Sequence, residues 1–289
     1  MRVCLMVEGQ EGVTWAQWLA LAQACEEAGL DGLYRSDHYL SIVRGPPAGS
    51  LDAWATLAAL AARTERIRLG SLVSPVTFRP AAVLAKSAVT VHEIAGGRVE
   101  LGMGAGWYEA EHHAYGLPFP PLRERMDELE RQVEAVVRHW DADPLVWPKP
   151  SPRPRLIVGG SAKPRTVRVA VRFADEYNTT FAAPEECRDR RRRVDEAARE
   201  AGRDPLVFSL MTGAVVGRDR AEAEARLARW REVTARGDQA PHVTGTVDEA
   251  AELLRAYEAA GVERVMLQHL AHEDVEMVHV LGDLARALA

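Results

Sequence analysis

The stretch "RVCLMVEGQEGVTWAQWLALAQACEEAGLDGLYRSDHYL", Arg2 to Leu40, decides the fold. An apolar run, Arg2 to Val7, is too short for a helix and reads as a buried strand. A helical pattern follows from Thr14 to about Ala28 and stops at Gly29, where a helix ends easily. "GLYRS" is then a second strand. Two strands joined by a helix must lie parallel, with a right-handed crossover.

The same unit recurs to the end of the chain. Helices are expected at Leu51 to about Arg63, Pro80 to about Ile94, Leu122–His139, Pro164–Phe173, Pro184 to about Ala201, Arg220–Ala235 and Val247–Ala260. Strands are expected at "RIRLGSLV", "RVELGMG", "PRLIVGG", "DEYNTT", "PLVFSLMTGAVV" and "ERVMLQHL". Eight strand signals in 289 residues favour a closed (β/α)8 TIM barrel over an open sheet. No composition break marks a second domain, so residues 1–289 are expected to form one. The irregular region is "DADPLVWPKPSPRPR", Asp141 to Arg155, whose five prolines make an extended connector before the fifth strand.

Composition narrows the function. Hydrophobic residues are 47% and charged residues 27%, ordinary for a globular protein. A net charge of −6 argues against a nucleic-acid surface. The basic run Arg188–Glu200 is balanced by acids and reads as a solvated helix face. Three widely spaced cysteines, Cys4, Cys25 and Cys187, suit a reducing compartment. Neither a leader nor a span long enough for a membrane is expected, so the location expected is cytoplasmic. Trp15, Trp18, Trp54 and Trp140 fall at helix spacings and are expected in the core.

In a barrel of this kind the chemistry sits at the C-terminal ends of the strands. Asp37 and His38 follow the second strand, and neighbours on a strand point apart. His38 titrates near neutral pH and suits proton transfer. Gly102, Gly104 and Gly106 alternate at the end of the fourth strand. Tight packing would explain them, but a flat surface for a planar ligand is preferred for Gly104 and Gly106. "IVGGSAKPRT" runs from a strand through two glycines and a serine into a helix, an anion site in which Lys163 and Arg165 add charge. The adjacent His112 and His113 face apart on a helix, and no metal site is expected. His269, His272 and Gln268 could reach the same face.

Five segments in order resemble one family: "SDHYL", "LGSLVSPVTFRPAAVLAK", "GGRVELGMGAGWYEAEHHAYGLPFPPLRERMDELE", "PRLIVGGSAKPRTVRVAVRFADEYN" and "GTVDEAAELLRAYEAAGVERVMLQ". The family is the luciferase-like monooxygenase superfamily, and the branch is that of the oxidoreductases using coenzyme F420. The resemblance implies a non-proline cis peptide at Leu72–Val73, with Ser74 beside it, supporting the middle ring of the deazaflavin. It implies that Gly104, Ala105, Gly106 and Trp107 line the ring, with Tyr108 where most relatives carry Asn. It implies that Gly159, Gly160 and Ser161 hold the phosphate through backbone N–H groups, with Arg165 nearby. It sets Asp37 and His38 at the reactive edge, a homodimer as the assembly, and a small organic molecule as substrate. The connector before the fifth strand is shorter than in relatives, which changes the pocket's cover. FMN with a reductase partner is the alternative cofactor, and a barrel that binds a phosphorylated metabolite without redox work is a third reading. A basic rim drawn from Arg44, Arg79, Lys163, Arg165 and Arg168 would favour F420, whose tail is anionic.

Overall fold

A computed structural model describes all residues 1–289. The strands are β1 (Arg2–Val7), β2 (Gly32–Arg35), β3 (Arg68–Pro75), β4 (Val99–Gly104), β5 (Arg155–Gly159), β6 (Glu176–Thr180), β7 (Val207–Gly217), β8 (Val243–Thr246) and β9 (Arg264–His269). Every pairing between them is parallel. β1 through β7 pair in order and β9 joins β7 to β1, which closes an eight-stranded barrel. The TIM-barrel expectation holds. β8 is extra. It pairs only with Ala214–Gly217, the far end of the long β7.

The helices are α1 (Trp15–Ala28), α2 (Ala53–Ala61), α3 (Ala81–Ile94), α4 (Glu109–Ala114), α5 (Leu122–Asp141), α6 (Pro164–Phe173), α7 (Pro184–Glu200), α8 (Arg220–Thr234), α9 (Val247–Ala259) and α10 (Glu276–Ala287). Local chemistry sets their ends. Thr14 and Gln17 form a capping box at the start of α1, and Gly29 ends it in the left-handed conformation. Asp52 caps α2 through the Ala55 amide, so that helix begins two residues later than its apolar pattern.

Three elements escaped the sequence pattern: β8, α4 and α10. The first two span only four and six residues, too few to display a period. α10 buries Met277, Val278, Val280, Leu281 and Leu284, and it packs against α1. Trp15 is 39% exposed, against the core position expected for it, because it opens α1 on the solvent side; Trp18, Trp54 and Trp140 are buried. No helix is long and apolar enough to cross a membrane.

Inside the barrel, the end where the strands begin is filled by charge. Arg264 of β9 reaches Glu100 of β4 at 2.6 Å and Glu176 of β6 at 2.7 Å, and all three are fully buried. Tyr34 of β2 donates to Glu100 at 2.7 Å and accepts from Arg264 at 2.9 Å. Ser209 of β7 donates to Glu176. Burial opposes ionisation of both carboxylates. The Arg264 charge nevertheless holds Glu100 below the usual range, whereas Glu176 is pushed up. This plug closes the lower half of the barrel and leaves the other end as the place for a ligand.

Candidate active site

At the C-terminal ends of the strands lies a cavity of about 530 Å³, within the range of small-molecule and cofactor sites. Every barrel strand contributes to its wall either directly or through the first residues beyond its end, β9 through Gln268. The wall includes His38, Leu72, Val73, Gly104, Ala105, Gly106, Trp107, Gly159 and Gly160. These nine were expected from the sequence.

His38 is the most informative of them. Its Nδ1 lies 2.7 Å from Oε1 of Glu111, on α4. The other oxygen of Glu111 accepts the Tyr39 amide at 3.0 Å, so a single buried carboxylate fixes both the ring and the backbone beside it. Trp107 and Tyr108 make T-shaped contacts with the imidazole, their ring centroids 5.6 and 6.2 Å from its own. Burial by itself would lower the pKa of His38. The hydrogen bond and charge of Glu111, aided by Glu8 and Asp37, outweigh it and raise the imidazole above its usual range. The ring's Nε2 has no partner in the protein and is not sealed from solvent.

The Leu72–Val73 peptide is cis, as the resemblance implied. The register between β3 and β4 shifts between Ser71 and Ser74, so the chain bulges here and brings Leu72 and Val73 to the wall. A Cβ on Gly102 would meet the Ser71 carbonyl oxygen at 2.3 Å, and one on Gly104 would meet Val73 Cγ2 at 2.6 Å. These glycines therefore make room for the bulge. Packing, ranked second from the sequence for Gly104, explains it first.

Five expected residues do not reach the wall. Asp37 is buried, with Oδ2 taking hydrogen bonds from Ser74 Oγ and Arg79 Nη1, both at 2.6 Å. It is turned away from the cavity, as strand alternation requires of His38's neighbour. Ser74 lies beneath the bulge and also receives the Trp54 indole N–H at 3.0 Å. Tyr108 donates to the Ser41 carbonyl at 3.3 Å. Ser161 is exposed, and Arg165 is drawn onto α5 by Asp127 and the Arg123 carbonyl.

The anion site also differs from expectation. The Gly160 amide is used by the Asn178 carbonyl at 2.9 Å, and the Ala162 amide by the Tyr177 hydroxyl at 2.8 Å. No side chain caps α6, so the amides of its first turn are the donors left for an anion. Gly160 sits at φ 153°, a conformation that side chains rarely adopt, and this lets the turn lie open against the cavity. Of the basic rim, Arg44 pairs with Glu273, Arg79 with Asp37 and Asp52, and Arg165 with Asp127.

Sequence reasoning missed Glu8, Glu111, Asn178, Phe181 and Arg236. Glu8 follows β1 at the wall, where Gln268 donates to it at 2.6 Å and Gln10 at 2.9 Å. The rule that placed Asp37 and His38 at a strand end applies equally to Glu8, directly after β1, and could have found it, whereas Asn178 lies in the middle of β6. Nothing local marks Glu111, which is 73 residues from its partner. Arg236 lies in the loop after α8 and is the single Lys or Arg of the wall.

The arrangement offers a glycine-lined slot, a turn with free amides, and a histidine with one nitrogen bound and one open. It can hold a planar anionic cofactor and move one proton beside it. A family model described as luciferase-like monooxygenase matches residues 3–283. An uncharacterised protein of Mycobacterium tuberculosis is 31% identical over 206 residues, 64% of this chain and 67% of that one. An F420-dependent glucose-6-phosphate dehydrogenase of Amycolatopsis mediterranei is 35% identical over 124 residues, 42% and 37% of the two chains. Among solved structures, an F420-dependent secondary alcohol dehydrogenase in complex with an F420-acetone adduct superposes with a TM-score of 0.83. It is 19% identical and covers 100% of this chain and 99% of its own.

Proposed function

Because the chain belongs to the luciferase-like monooxygenase family, we propose that it is an F420-dependent oxidoreductase acting on a small organic substrate. When bound, the deazaflavin supplies the hydride-carrying carbon, C5. Leu72, Val73 and Gly104–Trp107 form the wall against which its ring would lie, and the Gly159–Gly160 turn with the first amides of α6 faces its phosphate. His38 holds the proton that must accompany the hydride.

One observation carries this reading: His38 lies on the cavity wall with Nδ1 held by Glu111 and Nε2 open. Hydride transfer to or from a carbon bearing a heteroatom needs a proton carrier there, and a histidine suits it near neutral pH. Asp37 is assigned a supporting part, tying Ser74 and Arg79 beneath the bulge. Ser74 and Tyr108 support the same wall, and Arg165 anchors α6 to α5.

The test is titration of the purified protein with F420 and, separately, with FMN, followed by absorbance and fluorescence. Tight F420 binding with weak FMN binding is the expected result. Preference for FMN would replace the reading with a flavin-dependent monooxygenase that draws on a reductase. Binding of neither would remove the redox assignment.

A further inference from the structure

The carboxylate behind His38 has no part in the reading above beyond contact. We propose that Glu111 is a positioning residue: it keeps a proton on Nδ1 in every state of the ring, so that Nε2 alone exchanges a proton with substrate. The proposal deepens the assignment of His38 and rests on it for its catalytic half.

The geometry supports this in three steps. A carboxylate can only accept a hydrogen bond, so at 2.7 Å from Glu111 the Nδ1 atom is the donor. The neutral ring then has its hydrogen on Nδ1, and Nε2 carries the lone pair. Glu111 cannot drift from this role. It is 1% exposed, and its second oxygen is fixed by the Tyr39 amide at 3.0 Å. Nε2, by contrast, has no protein partner and belongs to a residue of the cavity wall.

The groups facing His38 are few. Glu111 approaches from α4, Glu8 from the end of β1, and Asp37 from the preceding residue, its charge matched by Arg79. Trp107 and Tyr108 meet it only in T-shaped contacts and bring no charge. Three carboxylates around one imidazole favour its cation, and in that form the ring has a proton on Nε2 to give. In the step this implies, a carbonyl or imine carbon accepts a hydride from the reduced deazaflavin as the C5–H bond breaks. The Nε2–H bond then breaks to place its proton on the substrate's oxygen or nitrogen. The substrate gains two electrons, the cofactor loses two, and His38 is left neutral until it takes a proton from water.

The decisive experiment needs no cofactor. Nitrogen NMR of 15N-histidine-labelled protein reads the tautomer and titration of His38 in the wild type and in Glu111→Gln. We expect a single Nδ1–H tautomer in the wild type. In the variant we expect mixed tautomers and a pKa lower by about one unit. With F420H2 and a panel of small aldehydes and ketones, the wild-type rate should fall as pH rises through the His38 pKa. Glu111→Gln should move that fall to lower pH by the same interval and cut kcat about tenfold to a hundredfold, with KM and F420 affinity within about twofold. Glu111→Asp, one methylene shorter, should keep the tautomer and lower the pKa by less. It carries the test if the Gln variant does not fold. A tautomer and pKa unchanged in Glu111→Gln, or a pKa unchanged in Glu111→Asp, would overturn the proposal, and so would a rate profile that ignores the shift. Failure to bind F420 with the NMR result intact would sink the cofactor assignment alone.

Discussion

The two ends of this barrel use the same kinds of residue to opposite ends. At the closed end, Arg264, Glu100, Glu176, Tyr34 and Ser209 bind one another, away from water. At the open end, His38 binds Glu111 and Gln268 binds Glu8, and Nε2 of His38 is left facing a cavity. Burial and ion pairing are common to both. What separates structure from chemistry is where the unpaired atom lies: Arg264 Nε has no partner but is sealed in the barrel, whereas Nε2 of His38 opens on the cavity.

Breaking the closed end tests that distinction most severely. Arg264→Met would leave Glu100 and Glu176 with only the longer pairings to Arg68, at 3.1 Å, and Arg155, at 3.5 Å, at a cost of about 3–5 kcal/mol in urea unfolding. Any protein that stays folded should keep its affinity for cofactor, because the plug does not touch the cavity. Loss of affinity at full stability would erase the contrast between the ends.

The converse substitution is His38→Ala. It should lower kcat by about 10²–10⁴-fold, with F420 affinity by fluorescence titration within about threefold of wild type. A large loss of cofactor binding would instead make His38 part of the cradle. Between the two ends lies the bulge. In Gly102→Ala the new Cβ meets the Ser71 carbonyl oxygen and must shift the backbone. Destabilisation of about 1–3 kcal/mol together with weaker cofactor binding is the expected joint result. An effect on stability alone would detach the bulge from the site.

The smallest effect sharpens the anion site. Arg165 is tied to Asp127 on the surface of α5, a pairing worth less than about 1 kcal/mol. Arg165→Ala should change F420 affinity by less than about twofold. A tenfold loss would return this side chain to the phosphate.

The barrel was legible because its evidence is periodic and local: short apolar runs, amphipathic helices and glycine stops repeat at a spacing that only a parallel sheet accommodates. Nine of the 22 wall residues were named as site residues from the sequence, some by the rule about strand ends and others, Leu72 and Val73 among them, by the family resemblance. The rest depended on partners far apart in the chain. His38 was visible as a titratable residue at a strand end, whereas Glu111 is one acid among several in "WYEAEHHAYG" until the fold sets it against the imidazole. Asp37 and Arg165 were read as groups of the site, but Arg79 and Asp127 claim them and neither reaches the wall. Arg264, Glu100 and Glu176 are single charges in strands 76 or more residues apart, and no local pattern joins them.

The loop after β2 has a further consequence. Glu11 is buried and accepts the amides of Ile42, Val43 and Arg44 and the hydroxyl of Ser41, while Arg44 grips Glu273 across the mouth. Ile42 and Val43 belong to the cavity wall, so this edge of the opening is moored both from beneath and from the side. Passage through it is then a matter of collision rather than of waiting for a flap, and association should be fast and single-phased. The three amides on Glu11 should exchange with deuterium slowly for a surface loop. Added salt should loosen the Arg44–Glu273 tether, which is half in solvent, and leave the mooring beneath it in place.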